Sequence, residues 1–447
     1  MPADPTLTGQ TTELLQSMIR NACVNDGTPA SGEEVRNSDL LTTFLEGPGL
    51  ELTHHEPLPG RRSVLTRIEG SDPTAPTLLL LGHTDVVPVS PDDWREDPFG
   101  GELIDDEVWG RGAVDMLNLT SSMAVAVRHL AHSGFTPKGT LLFLGVADEE
   151  AGGTWGAGWL AEHAWDEVGA DYVLTESGGI PTDTPTGRRI VMMSGEKGIG
   201  WRRLTIHGTP GHGSMPYRAD NALITTAEVV RRLADYTPTP QLGEHWRAYV
   251  DALGLDDEGR AALLDPGRVD DAIAQMDPGM AKYLHATTHT TFSPNVVHGG
   301  TKTNTIPDRV ELEVDIRTLP GQTDADVDAM LAEALGDLAA RVDVTPAVPS
   351  RPASSSGTDT PLWDLLSRRA EAVHPGAEVL PFMLTGGTDA AFFRERGATA
   401  YGAGMFSARS SLAEFRSRFH GHDERIDTES LGLSAQLWLD VVEGLLS

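Results

Sequence analysis

Along the first fifty residues apolar side chains return every three or four positions, with Leu14, Leu15, Met18 and Ile19 before a Gly/Pro break and Leu40, Leu41 and Phe44 after it. That period predicts two amphipathic helices between Thr11 and Phe44. The pattern then changes. Ser63–Ile68, Thr77–Leu81, Thr140–Ala147 and Asp171–Leu174 are short apolar or β-rich runs, separated in several places by helical patterns, most clearly at Asn118–His132. Strands alternating with helices predict an α/β unit with a mostly parallel central sheet. Near Ser194 the character shifts to WRRLTIHG, a helical Asn221–Leu233, an acidic helical stretch to about Leu284, and VELEVDIRTL with strict alternation. These are the parts of a smaller α+β unit. The expected layout is a discontinuous first unit, 1–199 and 318–447, with an inserted unit at 200–317. The chain is expected to return to the first unit through helices around Asp324–Leu338 and Pro361–Val373, with Thr345–Pro361 as a surface loop.

Composition narrows the function classes. Sixty-six acidic side chains face 34 basic ones, a net charge of -32, and only Lys138, Lys197, Lys282 and Lys302 are lysines. Such a charge repels phosphate backbones and anionic membranes, so neither nucleic acid nor membrane is an expected partner. Cys23 is the single cysteine, which rules out an intrachain disulfide and points to a reducing compartment. MPADPTLTGQ has no basic start or apolar signal core, and the longest apolar runs are too short to cross a bilayer. A cytoplasmic protein is expected.

The apolar run TLLLLGHTDVVP ends abruptly in His83 and Asp85, as a buried strand delivering a metal ligand and its orienting carboxylate would. WGRGAVDM places Asp115 in a Gly-containing loop just before the Asn118 helix. LLFLGVADEEAGG places Glu149 and Glu150 past another buried strand, and DYVLTESGG does the same for Glu176. Binding sites of open parallel sheets lie outside the carboxyl ends of the strands, so these side chains should converge. Carboxylates gathered there need a compensating cation. FHGHDERID adds His420 and His422 far downstream. A set of His, Asp, Glu, Glu and His with one bridging Asp suits two Zn²⁺ ions, with Co²⁺ or Mn²⁺ as substitutes.

From about Leu14 to its end the chain resembles the dizinc metallopeptidase family of aminoacylase, carboxypeptidase G, acetylornithine deacetylase, succinyl-diaminopimelate desuccinylase and carnosinase-type dipeptidases. The resemblance implies a zinc-exopeptidase-like catalytic domain with an inserted lid and dimerisation domain. It also implies His83 and Glu176 on one ion, Glu150 and His420 on the other, Asp115 bridging, Glu149 as general base and Asp85 behind His83. The family register His-Gly-x-Asp-Glu-Arg selects His420 over His422. One departure is Leu117–Asn118, where many relatives carry a Lys that is not a ligand. In the inserted segment GTPGHGS, TNTIPD and DIRTLPG match family motifs at His212, Asn304 and Arg317, and LTGGTDAAFF offers Gly386, Gly387 and Thr388.

The activity so implied is hydrolysis of an amide, peptide or N-acyl amino acid, in a small substrate with a free carboxylate. Glu149 moves the proton, His212 and Asn304 stabilise the oxyanion, and Arg317 with the Gly386 loop holds the carboxylate. In the family that histidine often comes from a partner subunit, so a homodimer through the lid is implied. Two other readings are an aminopeptidase, which typically lacks this lid, and a catalytically degraded binding protein on the same fold. The lid motifs oppose the first, and the intact Glu149 and ligand set oppose the second.

Overall fold

The computed structural model describes residues 4–184 and 186–447. Its largest sheet has the spatial order Glu51–Leu58, Arg61–Ile68, Leu141–Val146, Leu78–His83, Tyr172–Thr175, Thr399–Gly402, Gly187–Glu196, Ser354–Ser355. Glu378–Leu384 and Gly178–Thr184 also pair with Gly187–Glu196. The four strands from Leu141–Val146 to Thr399–Gly402 run parallel, and the edges on both sides turn antiparallel. Leu78 to Leu81 are buried on both faces of the sheet, which is why this run shows no alternation.

On one face the helices Pro5–Arg20, Leu117–Ser133 and Thr428–Leu446 pack through residues such as Leu15, Met123 and Trp438. On the other, Leu160, Val168 and Phe393 cover Leu79, Leu81 and Leu144. The sheet is thus a buried middle layer whose parallel strands all end on one rim. Among the described residues no helix is long and apolar enough to cross a membrane.

A second sheet is wholly antiparallel. Thr291–Gly299, Arg309–Thr318, Arg202–His207 and Val342–Pro346 lie side by side, with Gly198–Ile199 added on Arg309–Thr318. The alternation in Arg309–Thr318 buries Val310, Leu312, Val314 and Ile316 under the helices Ala222–Asp235 and Asp324–Leu335.

Two of the expected borders move. Asp324–Leu335 and Val342–Pro346 do not return to the first unit: Val327, Leu331, Leu335 and Val342 complete the second core, so that core runs on past residue 317 to 346. In the opposite direction, the acidic helices between Glu244 and Thr288 leave the second sheet. Trp246, Tyr249, Val250 and Leu284 pack on Val191 and Leu380 of the large sheet. Periodicity shows that a helix has an apolar face but not which sheet that face meets. Lys197 fastens this junction, its Nζ donating to Ala286 O at 2.6 Å and His289 O at 2.8 Å.

The Thr345–Pro361 segment is more than a surface loop. It includes the end of one strand and the short Ser354–Ser355 strand on Gly187–Glu196, and Arg351 pairs its backbone with Ile199.

Candidate metal centre

Three neighbouring parallel strands end at the same rim and deliver the site. Leu78–His83 carries His83 as its last residue, Leu141–Val146 is followed by Glu149 and Glu150, and Tyr172–Thr175 by Glu176. Asp115 enters from the loop ahead of the Leu117–Ser133 helix, and His420 from the segment after Leu412–Arg418. Backbone at this rim is held in the left-handed region at non-glycine positions, with φ of 72° at Asp148, 71° at Ser177 and 56° at His420. Conformations of this kind cost about 1–3 kcal/mol each and persist where surrounding structure fixes them, often at functional sites.

His83, Asp115 and Glu176 form one group with potential ligand atoms within 4.8 Å of one another, and Asp115, Glu150 and His420 form a second. Asp115 belongs to both. Its Oδ1 lies 3.1 Å from His83 Nε2 and its Oδ2 2.9 Å from His420 Nε2, the disposition of a carboxylate that joins two neighbouring centres. His420 Nε2 is also 3.4 Å from Glu150 Oε2. His422 belongs to neither group.

The electrostatics are those of a crowded anionic pocket. Burial, then the Glu176 charge, pushes the Glu149 carboxyl well above its ordinary range, and burial with the Asp115 charge does the same to Glu176. Glu150 is pushed up to about 7 by burial and Asp115. Burial pulls the two imidazoles down, but the carboxylates bonded to them outweigh it, holding His83 well above its usual value and His420 at about 10. Asp115 feels the converse. Burial raises its pKa, and its bonds to His420 and His83 outweigh that and hold it well below the usual range. Glu150 Oε1 and Asp85 Oδ1 are buried without a hydrogen-bond partner among the described residues. Clustered carboxylates, two imidazoles and unmet acceptors together fit a pair of divalent cations.

Behind these side chains runs a buried scaffold of which the sequence revealed only Asp85. The His83 Nδ1 is 3.0 Å from the Asp85 carbonyl oxygen and 3.5 Å from its Oδ1. Asp85 Oδ2 accepts from Asn25 Nδ2 at 2.8 Å and from the Glu150 N–H at 3.1 Å, so one carboxylate ties both groups together. Arg61 donates to Asn25 Oδ1 and Glu34 Oε1, and Glu34 Oε1 accepts the Asp148 N–H. Glu424 receives the N–H groups of Gly112, Val114 and Asp115 on Oε1, with Arg111 Nη1 on Oε2 at 2.6 Å. Glu424 stands four residues after His420 in HGHDER, and that spacing is the one signal that could have found it.

The donor groups open into a cavity of about 760 Å³, bordered by Glu149, Glu176, Tyr283, Arg351, Phe382 and Phe415 among others. Gly386 and Gly387 line it as expected, and so does Arg317. Arg317 is already engaged, however: it donates from Nε and Nη2 to both oxygens of Asp315, at 2.7 and 3.2 Å, and lies over Trp201. Thr388 is buried behind the wall, its N–H and Oγ1 both donating to Glu196 Oε2. His212 and Asn304 lie on adjoining segments, where Gly213 N donates to Asn304 O, but neither borders the cavity. Among the described residues the His212 ring bonds only to Ser214. Asp389 is buried with both oxygens unpartnered among the described residues and is pushed up to about 7 by burial, against the pull of Arg351.

An α/β sheet with His, Asp and Glu donors converging beyond the ends of its parallel strands has the make-up of a metal-dependent enzyme. Comparison with known proteins gives the family: the chain belongs to the peptidase family M20/M25/M40, whose pattern matches residues 79–444. It is 28% identical to the N-fatty-acyl-amino acid synthase/hydrolase PM20D1 of Xenopus tropicalis over 97% of this chain and 85% of that protein. Its fold resembles the M20 family metallo-carboxypeptidase Sso-CP2 from Sulfolobus solfataricus, with a TM-score of 0.73 at 18% identity, covering 98% of this chain and 99% of the other. It also resembles the Bacillus subtilis YXEP protein, described as a dinuclear metal binding peptidase, with a TM-score of 0.60 at 16% identity and 98% of each chain covered. The protein is therefore an M20-family metallohydrolase.

Proposed function

We propose that this enzyme hydrolyses the amide bond of N-acyl amino acids, holding two Zn²⁺ ions, or Co²⁺ or Mn²⁺ in their place, in the groups that share Asp115. The observation that carries this reading is the sharing itself: one buried carboxylate with an oxygen directed to each of two histidines, at the floor of a cavity. His83 and Glu176 hold one ion and Glu150 and His420 the other, with Asp85 orienting His83. Such a pair supplies activated water and polarisation of the amide carbonyl. Glu149 borders the cavity and its carboxylate makes no hydrogen bond among the described residues, so it is free to take a proton and return it to the leaving nitrogen.

An apolar acyl group suits the walls, where Ile180, Val191, Phe382, Leu412 and Phe415 face the cavity, while the exposed Lys282 and Arg416 mark its solvent side. The volume is in the range of small-molecule sites. The name of the Xenopus relative, an N-fatty-acyl-amino acid synthase/hydrolase, supports the same substrate class.

His212 and Asn304 act from a second copy of the chain. Around them Met215, Tyr217 and Ile224 are 70%, 83% and 69% exposed, and the edge strand Thr291–Gly299 presents Val297 at 55%. These apolar side chains, and a strand edge without a partner among the described residues, suit burial against a like surface. The decisive test loads purified protein with zinc or cobalt and assays a panel of N-acyl amino acids and dipeptides. Turnover of the acylated substrates is expected. Absence of hydrolysis across the whole panel by fully loaded enzyme would sink the reading.

A further inference from the structure

We infer that two facing helices, Pro278–Thr288 and Leu412–Arg418, form a cleft that takes an extended apolar acyl chain and sets its preferred length, with Tyr283 and Phe415 as its walls; this deepens the N-acyl amino acid reading above and rests on it. On the first helix the residues that border the cavity are Gly279, Lys282, Tyr283 and Ala286. On the second, with its C-cap, they are Leu412, Phe415, Arg416 and Phe419. Both sets fall at i, i+3, i+4 and i+7, the spacing of a single helical face. Each helix therefore turns one stripe toward the same space.

The inner end of that space is the metal centre. The Phe419 ring stacks on the neighbouring His420 imidazole, with centroids 4.7 Å apart and planes 22° from parallel, so the second stripe runs directly into a side chain of a donor group. An acyl group whose carbonyl lies at the donors has this cleft as its adjoining apolar wall. At the outer side the exposed Arg416 reaches across, its guanidinium 5.7 Å from the centre of the Tyr283 ring. The stripe from 279 to 286 is about 10 Å long at the rise of an α-helix, far more than an acetyl group needs.

Both walls are fixed before a ligand arrives. Asp277 caps the first helix by accepting the Gly279 and Met280 N–H groups, and Lys197 holds Ala286 O near the other end. The Tyr283 ring lies parallel to Phe382 at 4.9 Å, and its hydroxyl donates to the Met383 carbonyl and accepts the Met383 N–H, each at 3.2 Å. Glu378–Leu384 has Gly187–Glu196 as its one strand neighbour among the described residues, so Tyr283 supplies partners on the open edge. Opposite, Phe415 meets the buried Phe406 edge to face at 5.6 Å. Walls already held in place lose little freedom on binding.

Lys282 and Arg416 raise a rival occupant, an acyl group ending in a second carboxylate. Both cations are exposed, where an ion pair is worth little, while each methylene buried between the walls is worth about fourfold. The experiment measures kcat/KM of the zinc-loaded enzyme on alanine acylated by acetyl, butanoyl, hexanoyl, octanoyl and succinyl groups. The rate should rise about two- to fourfold per methylene along the alkyl series. Ala286→Phe, which fills the cleft, and Phe415→Ala, which removes a wall, should each lower the octanoyl rate about 10- to 100-fold more than the acetyl rate. Tyr283→Phe keeps the ring and should keep the slope. Calorimetry of N-acetyl- and N-octanoylalanine on the zinc-loaded Glu149→Gln protein repeats the comparison without turnover. A flat alkyl series, faster turnover of the succinyl than of the hexanoyl compound, or an equal loss on acetyl and octanoyl substrates in either cleft variant overturns the inference. Tighter binding of the octanoyl compound that Ala286→Phe removes, in a loaded enzyme that turns over neither compound with Glu149 intact, would uphold the cleft and defeat the hydrolase reading instead.

Discussion

Asp115 is the residue on which both donor groups depend, and its place is set less by its own side chain than by Glu424. Three backbone donors of the 112–115 loop, those of Gly112, Val114 and Asp115, converge on that one carboxylate, which is itself buried against Arg111. Glu424→Ala leaves those N–H groups and the Arg111 guanidinium unpaired in the interior. It should lower the unfolding free energy by about 3–5 kcal/mol, measured by urea denaturation, and reduce bound metal in the same preparation. Glu149→Gln is the contrasting case. It should keep full metal content by elemental analysis while kcat falls about 10²- to 10⁴-fold, the range for a positioned proton carrier. Unaltered turnover in that variant would remove Glu149 from the chemistry. His83, Asp115, Glu150 and Glu176 were legible from the chain because each stands at or just past the end of a short buried strand or precedes a strong helix, whereas His420, after the Leu412–Arg418 helix, was singled out only by the family register. Asn25, Arg61 and Arg351 were not legible, since they sit in loops or at strand starts and act on partners 60, 27 and 37 residues away.

At the level of elements, periodicity identified the helices Pro5–Arg20 and Leu117–Ser133 and, in the large sheet, the strands Arg61–Ile68, Leu78–His83, Leu141–Val146 and Tyr172–Thr175, but not Thr399–Gly402. It failed where one pattern has two compatible destinations. The Asp324–Leu335 helix and the Glu244–Thr288 helices each show an apolar face, but only tertiary contact decides that the first covers the second sheet and the others the large one. His245 lies on the Glu244–Ala252 helix at this second contact, its Nε2 2.9 Å from Ser194 Oγ. Burial, with the nearby Arg394 charge, lowers its pKa to about 4, against a bond to the Phe382 backbone that acts the other way. Unfolded, the imidazole takes a proton below about pH 6.5, and folded only below about 4. Between those values the unfolded chain binds more protons. Stability is therefore intact above pH 6.5 and lost as the pH falls toward 4. His245→Gln should flatten that part of the profile, as followed by denaturation midpoints at pH 6.5, 5.5 and 4.5. A profile with the same slope in the variant would show that other groups govern it.

For the whole molecule, the separation of His212 from the cavity makes assembly and activity one question. A mixture of His212→Ala and Glu149→Gln proteins, each inactive alone, should regain turnover after subunit exchange, because one mixed site has an intact Glu149 facing an intact His212 from its neighbour. Val297→Glu on the exposed edge strand should give monomers by analytical ultracentrifugation, together with a loss of kcat. Full activity in a monomeric variant would assign His212 a local role.

The scattering of the donors has a mechanical consequence. Residues 83, 115, 150 and 176 lie in the first half of the chain and 420 near its end, with the entire antiparallel sheet threaded between them. Ions seated there would act as a removable cross-link, fastening the carboxy-terminal segment onto the first half of the fold. Free ion at a thousand times the dissociation constant adds about 4 kcal/mol to stability for each site. Chelation should lower the melting temperature and quicken hydrogen exchange and proteolytic nicking around residues 412–427 before the large sheet itself loosens. Metal supply would then set the lifetime of the folded enzyme as well as its rate.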